Sequence, residues 1–176
     1  YREFIDNYKI AIYAPIYHFT RTLLSPQKNI IPKELILGGK EPAEFDDLDL
    51  LILHKLAPNV RLPLSVIANK IGKSLQFVIN RIKNMEKNGI IQGYRPKLNW
   101  YKLGYTYYKS NITLSSHKRD KELFSWAKNH PNIVQVDKTI GGWDFEMEMF
   151  ATSVNHFQSV MQEFQDTFSD VVVNYE

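Results

Sequence analysis

Through the middle of the chain apolar residues recur every three to four positions, and toward its end they alternate every second position. The first pattern predicts helices and the second predicts strands. Asp46-Asp47 opens a helix whose early carboxylates suit the positive end of its dipole. Leu48, Leu51, Ile52 and Leu56 fall on one side, and Pro58 ends the run. A second, short helix is predicted from about Pro63 to Ile71, with Ile67, Ala68 and Ile71 inward and Gly72 closing it. Ser74 caps a third, which runs to about Asn88 and stops at Gly89. Val78, Ile79, Ile82 and Met85 form its core stripe, leaving Gln76, Asn80, Arg81, Lys83, Asn84 and Lys87 on the other face. Ile90-Ile91-Gln92-Gly93-Tyr94 then reads as a strand. A tight, glycine-closed helix pair followed by a strand is a winged helix-turn-helix layout.

The remainder reads as strand 103–114, helix 119–130, strands 132–139 and 143–151, helix 153–168 and strand 170–175. Pro131 ends the first of these helices, and Gly141-Gly142 turns between the two middle strands. The fold class is therefore α+β, with a winged helix-turn-helix over 45–100 and a ferredoxin-like βαββαβ domain over 101–176. Upstream, residues 1–8 read as the end of a helix and 9–24 as an edge or outlying strand interrupted by Pro15. The prolines and glycines of 25–44 read as a linker, so 1–44 is taken as an extension. Glu3-Phe4-Ile5-Asp6-Asn7-Tyr8 echoes Glu163-Phe164-Gln165-Asp166-Thr167-Phe168 at three of six positions, each followed by an apolar strand. That fits residues 1–24 as the tail of a preceding copy of the C-terminal domain. The opening Tyr1-Arg2-Glu3-Phe4 has neither an initiator Met nor an apolar signal core, so the chain is expected to be a piece of something longer.

Charge changes this picture more than composition does. The formal net charge is only +3, but residues 61–102 hold nine Lys/Arg against Glu86 alone. A basic middle that coincides with a helix-turn-helix is the footprint of a polyanion-binding surface. No run approaches the length of a membrane-spanning helix, so no membrane contact is expected. The absence of Cys excludes disulfides, thiolate nucleophiles and Cys-type zinc sites. With no signal segment the expected compartment is the cytoplasm. The five histidines show no ligand spacing, and Gly38-Gly39-Lys40 lacks the rest of a phosphate loop. No catalytic residue, cofactor or metal is expected.

A helix enters the major groove with its N-terminal outward residues against base edges. Gln76 and Asn80, four apart, share one face, and amide side chains read adenine through two hydrogen bonds. Arg81 is expected to read guanine or grip phosphate, while Arg61, Lys73, Lys83 and Lys87 suit phosphate anchoring. Ser74 caps the helix and can also touch phosphate; Phe77 is counted with this surface. Arg95, Lys97 and Lys102 either flank DNA from the wing or solubilise the hinge. In strand 143–151 Phe145, Met147 and Met149 share one face, and Asp144, Glu146 and Glu148 share the other. Repulsion among those carboxylates would be relieved by a cationic ligand, a metal ion or a neighbouring chain's Lys or Arg, or else by exposure to solvent or pairing with this chain's own Lys109 or Lys138.

Asp46, Asp49, Ile52-Leu53, Arg61, Gly72, Ser74, Arg81, Glu86 and Gly89-Ile90-Ile91-Gln92-Gly93-Tyr94 need no gap to resemble the Lrp/AsnC family of feast/famine regulators. Gly141-Gly142-Trp143-Asp144-Phe145 is similar to the Gly-x-aromatic-Asp turn of that family's C-terminal domain. The resemblance implies a transcriptional regulator that binds double-stranded DNA, dimerises through its C-terminal sheets into homodimers or higher oligomers, and answers to a small effector, commonly an amino acid. It places the effector at Thr139, Gly141, Gly142, Trp143 and Asp144. Leu75 and Phe77 stand where some members have prolines beside the recognition-helix cap, so no operator sequence is inherited. Two alternatives stay open: an enzyme on the same architecture, as in the sirohaem decarboxylases, and an oligomerisation module that does not bind DNA.

Overall fold

The computed structural model describes residues 10–25, 33–38 and 41–176, which form two compact units, 40–97 and the remainder. The helix expected over 1–8 lies outside the described residues.

In the smaller unit, α1 (Asp47–Leu56), α2 (Leu64–Ile71) and α3 (Leu75–Lys87) follow the helical periodicity closely. Asp46 begins α1 with a capping box: its carboxylate accepts from the N–H of Leu48 and Asp49, and Asp49 accepts from the N–H of Asp46. This satisfies donors that a helix start leaves open. Gly72 closes α2 at φ 65°, a left-handed conformation in which a side chain would be strained. Ser74 caps α3 by accepting from Phe77 N–H at 3.1 Å. Ile52, Leu56, Ile67, Ala68, Val78, Ile82 and Met85 make the core, every one of them buried. The strand expected over 90–94 does not form. Ile90 and Ile91 instead turn back, both donating to Met85 O, and pack their side chains against the helical core. Partial burial of the two isoleucines closes the helix end, and among the described residues no neighbouring strand offers them a ladder.

The larger unit contains a six-stranded antiparallel sheet in the order β2-β1-β4-β5-β3-β6. Its strands are β1 (Ile12–Phe19), β2 (Glu34–Leu37), β3 (Thr106–Leu114), β4 (Ile133–Ile140), β5 (Phe145–Ala151) and β6 (Val172–Tyr175). With α4 (Asp120–Asn129) and α5 (Val154–Thr167), β3 to β6 complete the βαββαβ order in the expected ferredoxin-like arrangement. Phe145, Met147 and Met149 pack with Leu123, Ala127, Met161 and Phe164 of the helices, as the alternation requires. The opposite face carries a second apolar cluster of Trp100, Val134 and Phe150, with a polar group beside it.

The segment expected as extension and linker contributes two strands. β1 is not at an edge, because it pairs with β4 on one side and β2 on the other. Pro15 is tolerated because the register with β4 shifts between Tyr13 and Ile16, where its missing N–H costs the ladder least. β2 lies inside the expected linker; its four residues, Glu34-Leu35-Ile36-Leu37, are too few to stand out between prolines and glycines.

Candidate nucleic-acid surface and ligand turn

On α3, Gln76, Asn80, Lys83, Asn84 and Lys87 are exposed, as are Lys73 and Ser74 at its start and Arg61 before α2. The periodicity thus separates the outward from the inward face of this helix. Gln76 donates to the Asn80 carbonyl oxygen at 2.8 Å. The bond uses one donor and one acceptor, and the pair keeps Gln76 Oε1 and Asn80 Nδ2, the acceptor and donor that an adenine edge requires.

Arg81 has a different setting from the other cations. One guanidinium nitrogen donates to Asp49 at 3.1 Å and another to Asp46 at 2.5 Å. Asp49 is buried, so the fork ties α3 to the start of α1 and neutralises an interior carboxylate. The Asp49 N–H, and after it the Arg81 guanidinium, hold the Asp46 carboxyl below the usual carboxylate range. The same guanidinium lies 5.3 Å from the ring of Phe77, with Lys73 Nζ 5.8 Å from that ring. Phe77 itself is half-buried against the helical core. Arg81 and Phe77 are thus engaged within the unit, whereas Gln76, Asn80, Lys83 and Lys87 stand on its surface. The Asp-x-x-Asp capping box was a readable signal for half of this arrangement. The partnership of Arg81 with residues more than thirty positions away carries no local signature.

The second site is the turn between β4 and β5. Thr139 Oγ1 donates to Trp143 O at 2.9 Å and ties the turn across its base. Asp144 accepts from the backbone N–H of Leu114 at 2.8 Å, so this carboxylate already fastens the turn to the end of β3. Gly141 sits at φ 76°. A Cβ on Gly142 would overlap the Thr139 hydroxyl and stand 3.0 Å from Ala11 Cβ, and one on Gly141 would stand 3.0 Å from Ile10 O. The two glycines thus admit Ile10 and Ala11, just ahead of β1, against the turn, a contact that periodicity in β4 and β5 does not reveal.

On the face of the sheet away from the helices, Glu146 and Glu148 of the expected carboxylate trio meet Asp137, whereas Asp144 is held by Leu114 at the end of β3. Glu146 is buried and paired with Lys109 at 2.5 Å, one of the two lysines the sequence offered. Tyr13 joins them: Lys109 donates to its hydroxyl at 3.1 Å, and that hydroxyl donates to Glu146 at 3.4 Å. Burial alone would lower Lys109, but its bonds to Glu146 and Tyr13 raise the ammonium above its ordinary range. Asp137 of β4 lies directly opposite Glu146 and was not anticipated. It is 1% exposed, and Gln135 donates to both of its oxygens. Burial pushes its carboxyl up to about 6; the Gln135 bond opposes this and Glu148 adds to it. Among the described residues no group of His, Cys, Asp or Glu is arranged to hold a metal ion.

Residues 45–92 match the family model described as winged helix-turn-helix DNA-binding. The chain is 32% identical over 113 residues to the HTH-type transcriptional regulator LrpA of Pyrococcus horikoshii, covering 64% of this chain and 70% of that protein. Among solved structures it is similar to E. coli AsnC, at TM-score 0.68 and 23% identity over 76% of this chain and 90% of that one. A Neisseria meningitidis transcriptional regulator solved as its L-Met complex is similar at TM-score 0.65 and 20% identity, over 76% and 87% of the two chains. Among the described residues no helix is long and apolar enough to cross a membrane.

Proposed function

We propose, from the premise that this chain belongs to the Lrp/AsnC family of transcriptional regulators, that it binds double-stranded DNA through α3 and answers to a small ligand at the 139–144 turn. The observation that carries the DNA reading is the exposed face of α3. It sets the Gln76–Asn80 amide pair beside Lys83 and Lys87, within a stretch of the chain that holds one acidic residue, Glu86. The amide pair reads base edges, and Arg61, Lys73, Lys83 and Lys87 neutralise phosphates. Ser74 supports the surface by capping it. Arg81 acts from behind, as the brace that holds α3 on α1, and Phe77 is the apolar side of the same brace. An amino acid is the first ligand class to test, because a regulator of similar fold was solved with L-Met. The working unit is a homodimer or higher oligomer.

The test is fluorescence anisotropy with random-sequence duplex DNA over a salt series. Affinity should fall steeply with salt, and Lys83→Ala should reduce the slope of log K against log salt by about one. Lys118→Ala, whose ammonium pairs with Asp170 in the other unit, should leave the slope unchanged. Absence of binding even at about 50 mM salt would discard the reading. Equal effects of the two lysines would move the surface away from α3.

A further inference from the structure

β1 is two strands of unequal security joined at Ala14-Pro15. From Ile16 to His18 it is paired on both edges, with β2 on one side and β4 on the other, and Phe19 pairs with β2. Phe19 is 1% exposed, and its ring meets that of Phe124 edge-on at 5.6 Å. Before the register shift the strand has only its β4 partners, Ile12 opposite Ile140 and Tyr13 opposite Thr139. Ile10, Ile12 and Ile140 are 76%, 62% and 67% exposed, so little apolar burial holds this half down. What holds it is the Tyr13 hydroxyl between Lys109 and Glu146. Just ahead of this weakly held half, Ile10 O and Ala11 Cβ lie over the Gly141-Gly142 turn.

We propose that residues 10–13 are a displaceable strap over the 139–144 turn, hinged at Ala14-Pro15 and latched by Tyr13 on Lys109 and Glu146. The proposal rests on the reading of that turn as the ligand site and adds its gate. With the strap down, Ile10 and Ala11 fill the space above the glycines, and the β4 edge at Thr139 and Ile140 is paired. With it raised, the backbone of the turn and the β4 edge are open to a small ligand carrying a carboxylate and an ammonium. The apparent affinity is then the intrinsic affinity reduced by the fraction of molecules with the strap raised. Ile16–Phe19 stays in the sheet in both states, so the motion requires rotation only about the bulge.

The chain contains no cysteine, so Ile12→Cys with Ile140→Cys, on facing residues of β1 and β4, makes a single lock that reductant opens. L-methionine, then the other nineteen standard amino acids, are titrated calorimetrically into the whole chain. The reduced protein should bind at least one of them, and the oxidised protein should bind it at least tenfold more weakly. Tyr13→Phe, which removes the latch hydroxyl without touching the hinge, should tighten binding about tenfold. Equal affinity in the oxidised and reduced forms overturns the strap and leaves the ligand site standing. Should no amino acid bind any form, including Tyr13→Phe, the ligand reading fails and hydrogen exchange decides the strap alone. Segment 10–13 should then exchange at least 100-fold faster than segment 16–19, and Tyr13→Phe should accelerate it further. Uniform protection along β1 overturns the strap.

Discussion

Arg81→Ala is expected to unfold the helical unit rather than merely weaken its grip on DNA. Asp49 lies 3% exposed at the base of α1 and already has one carboxylate oxygen, Oδ1, buried without a hydrogen-bond partner. Arg81 supplies the charge that its other oxygen faces. Removing the guanidinium leaves a buried carboxylate with the Asp46 N–H but no counter-charge, which costs up to about 3–5 kcal/mol. A unit this small has roughly 5 kcal/mol in total to lose. The Asp46 cap survives through its backbone bonds, so the loss falls on the packing of α3 against α1. Circular dichroism of the whole chain should show most of the α1–α3 helical signal gone or melting well below the sheet. Hydrogen exchange should lose protection across 47–87 while β3 to β6 keep theirs. Adding Asp49→Asn should recover part of the stability, because no bare charge remains. Wild-type melting with DNA affinity lost would instead make Arg81 a reader of bases.

Asp137→Asn is expected to stabilise the sheet unit above pH 6 and to do nothing near pH 4. The carboxyl is held at about 6 in the fold, chiefly by burial, against about 4 in the unfolded chain. The fold therefore keeps a proton that the unfolded chain has released. Its stabilising contribution is complete below about pH 4 and is lost as pH rises through about 6. The ionised side chain lies among Glu146 and Glu148 of β5 and Lys109 and Tyr107 of β3. Lys109 is already committed to Glu146. Asparagine retains an acceptor for Gln135 and carries no charge. The gain at pH 8 should be on the order of 2–3 kcal/mol, or roughly 10 °C in melting temperature. Identical melting of the two proteins at pH 5 and pH 8 would show that Asp137 stays charged at little cost.

Both sites show what local pattern conveys. The stripe Val78, Ile79, Ile82, Met85 specifies α3 and its outward residues, because a helix repeats within four positions. Phe145, Met147 and Met149 specify the buried face of β5 by the same local logic. Ile90-Ile91 misled because a short β-branched run is strand-like only when a neighbour offers a ladder; here burial on the helical core offered more. β2 was hidden by its length, and the interior placement of β1 by Pro15, whose usual meaning is an edge. Arg81 with Asp46 and Asp49, and Ala11 over Gly142, are long-range neighbours, and Asp137 opposite Glu146 depends on the exact register of the β4–β5 hairpin. Their proximity follows from packing and register, which a period of two or four does not encode.

The outermost strands of the sheet, β2 and β6, are four residues each. An edge-to-edge meeting of two copies could therefore gain only a short ladder, and Glu34, salt-bridged to Lys128, lies on one of these edges. β1 and β2 together keep the eight residues of β4 from being that edge. A chain shortened to begin at residue 40 would open the backbone edge of β4 from Gln135 to Ile140, which β1 otherwise pairs, and it should precipitate or form fibrils where the whole chain stays dispersed. In colloidal terms, the N-terminal strands are the molecule's selvedge.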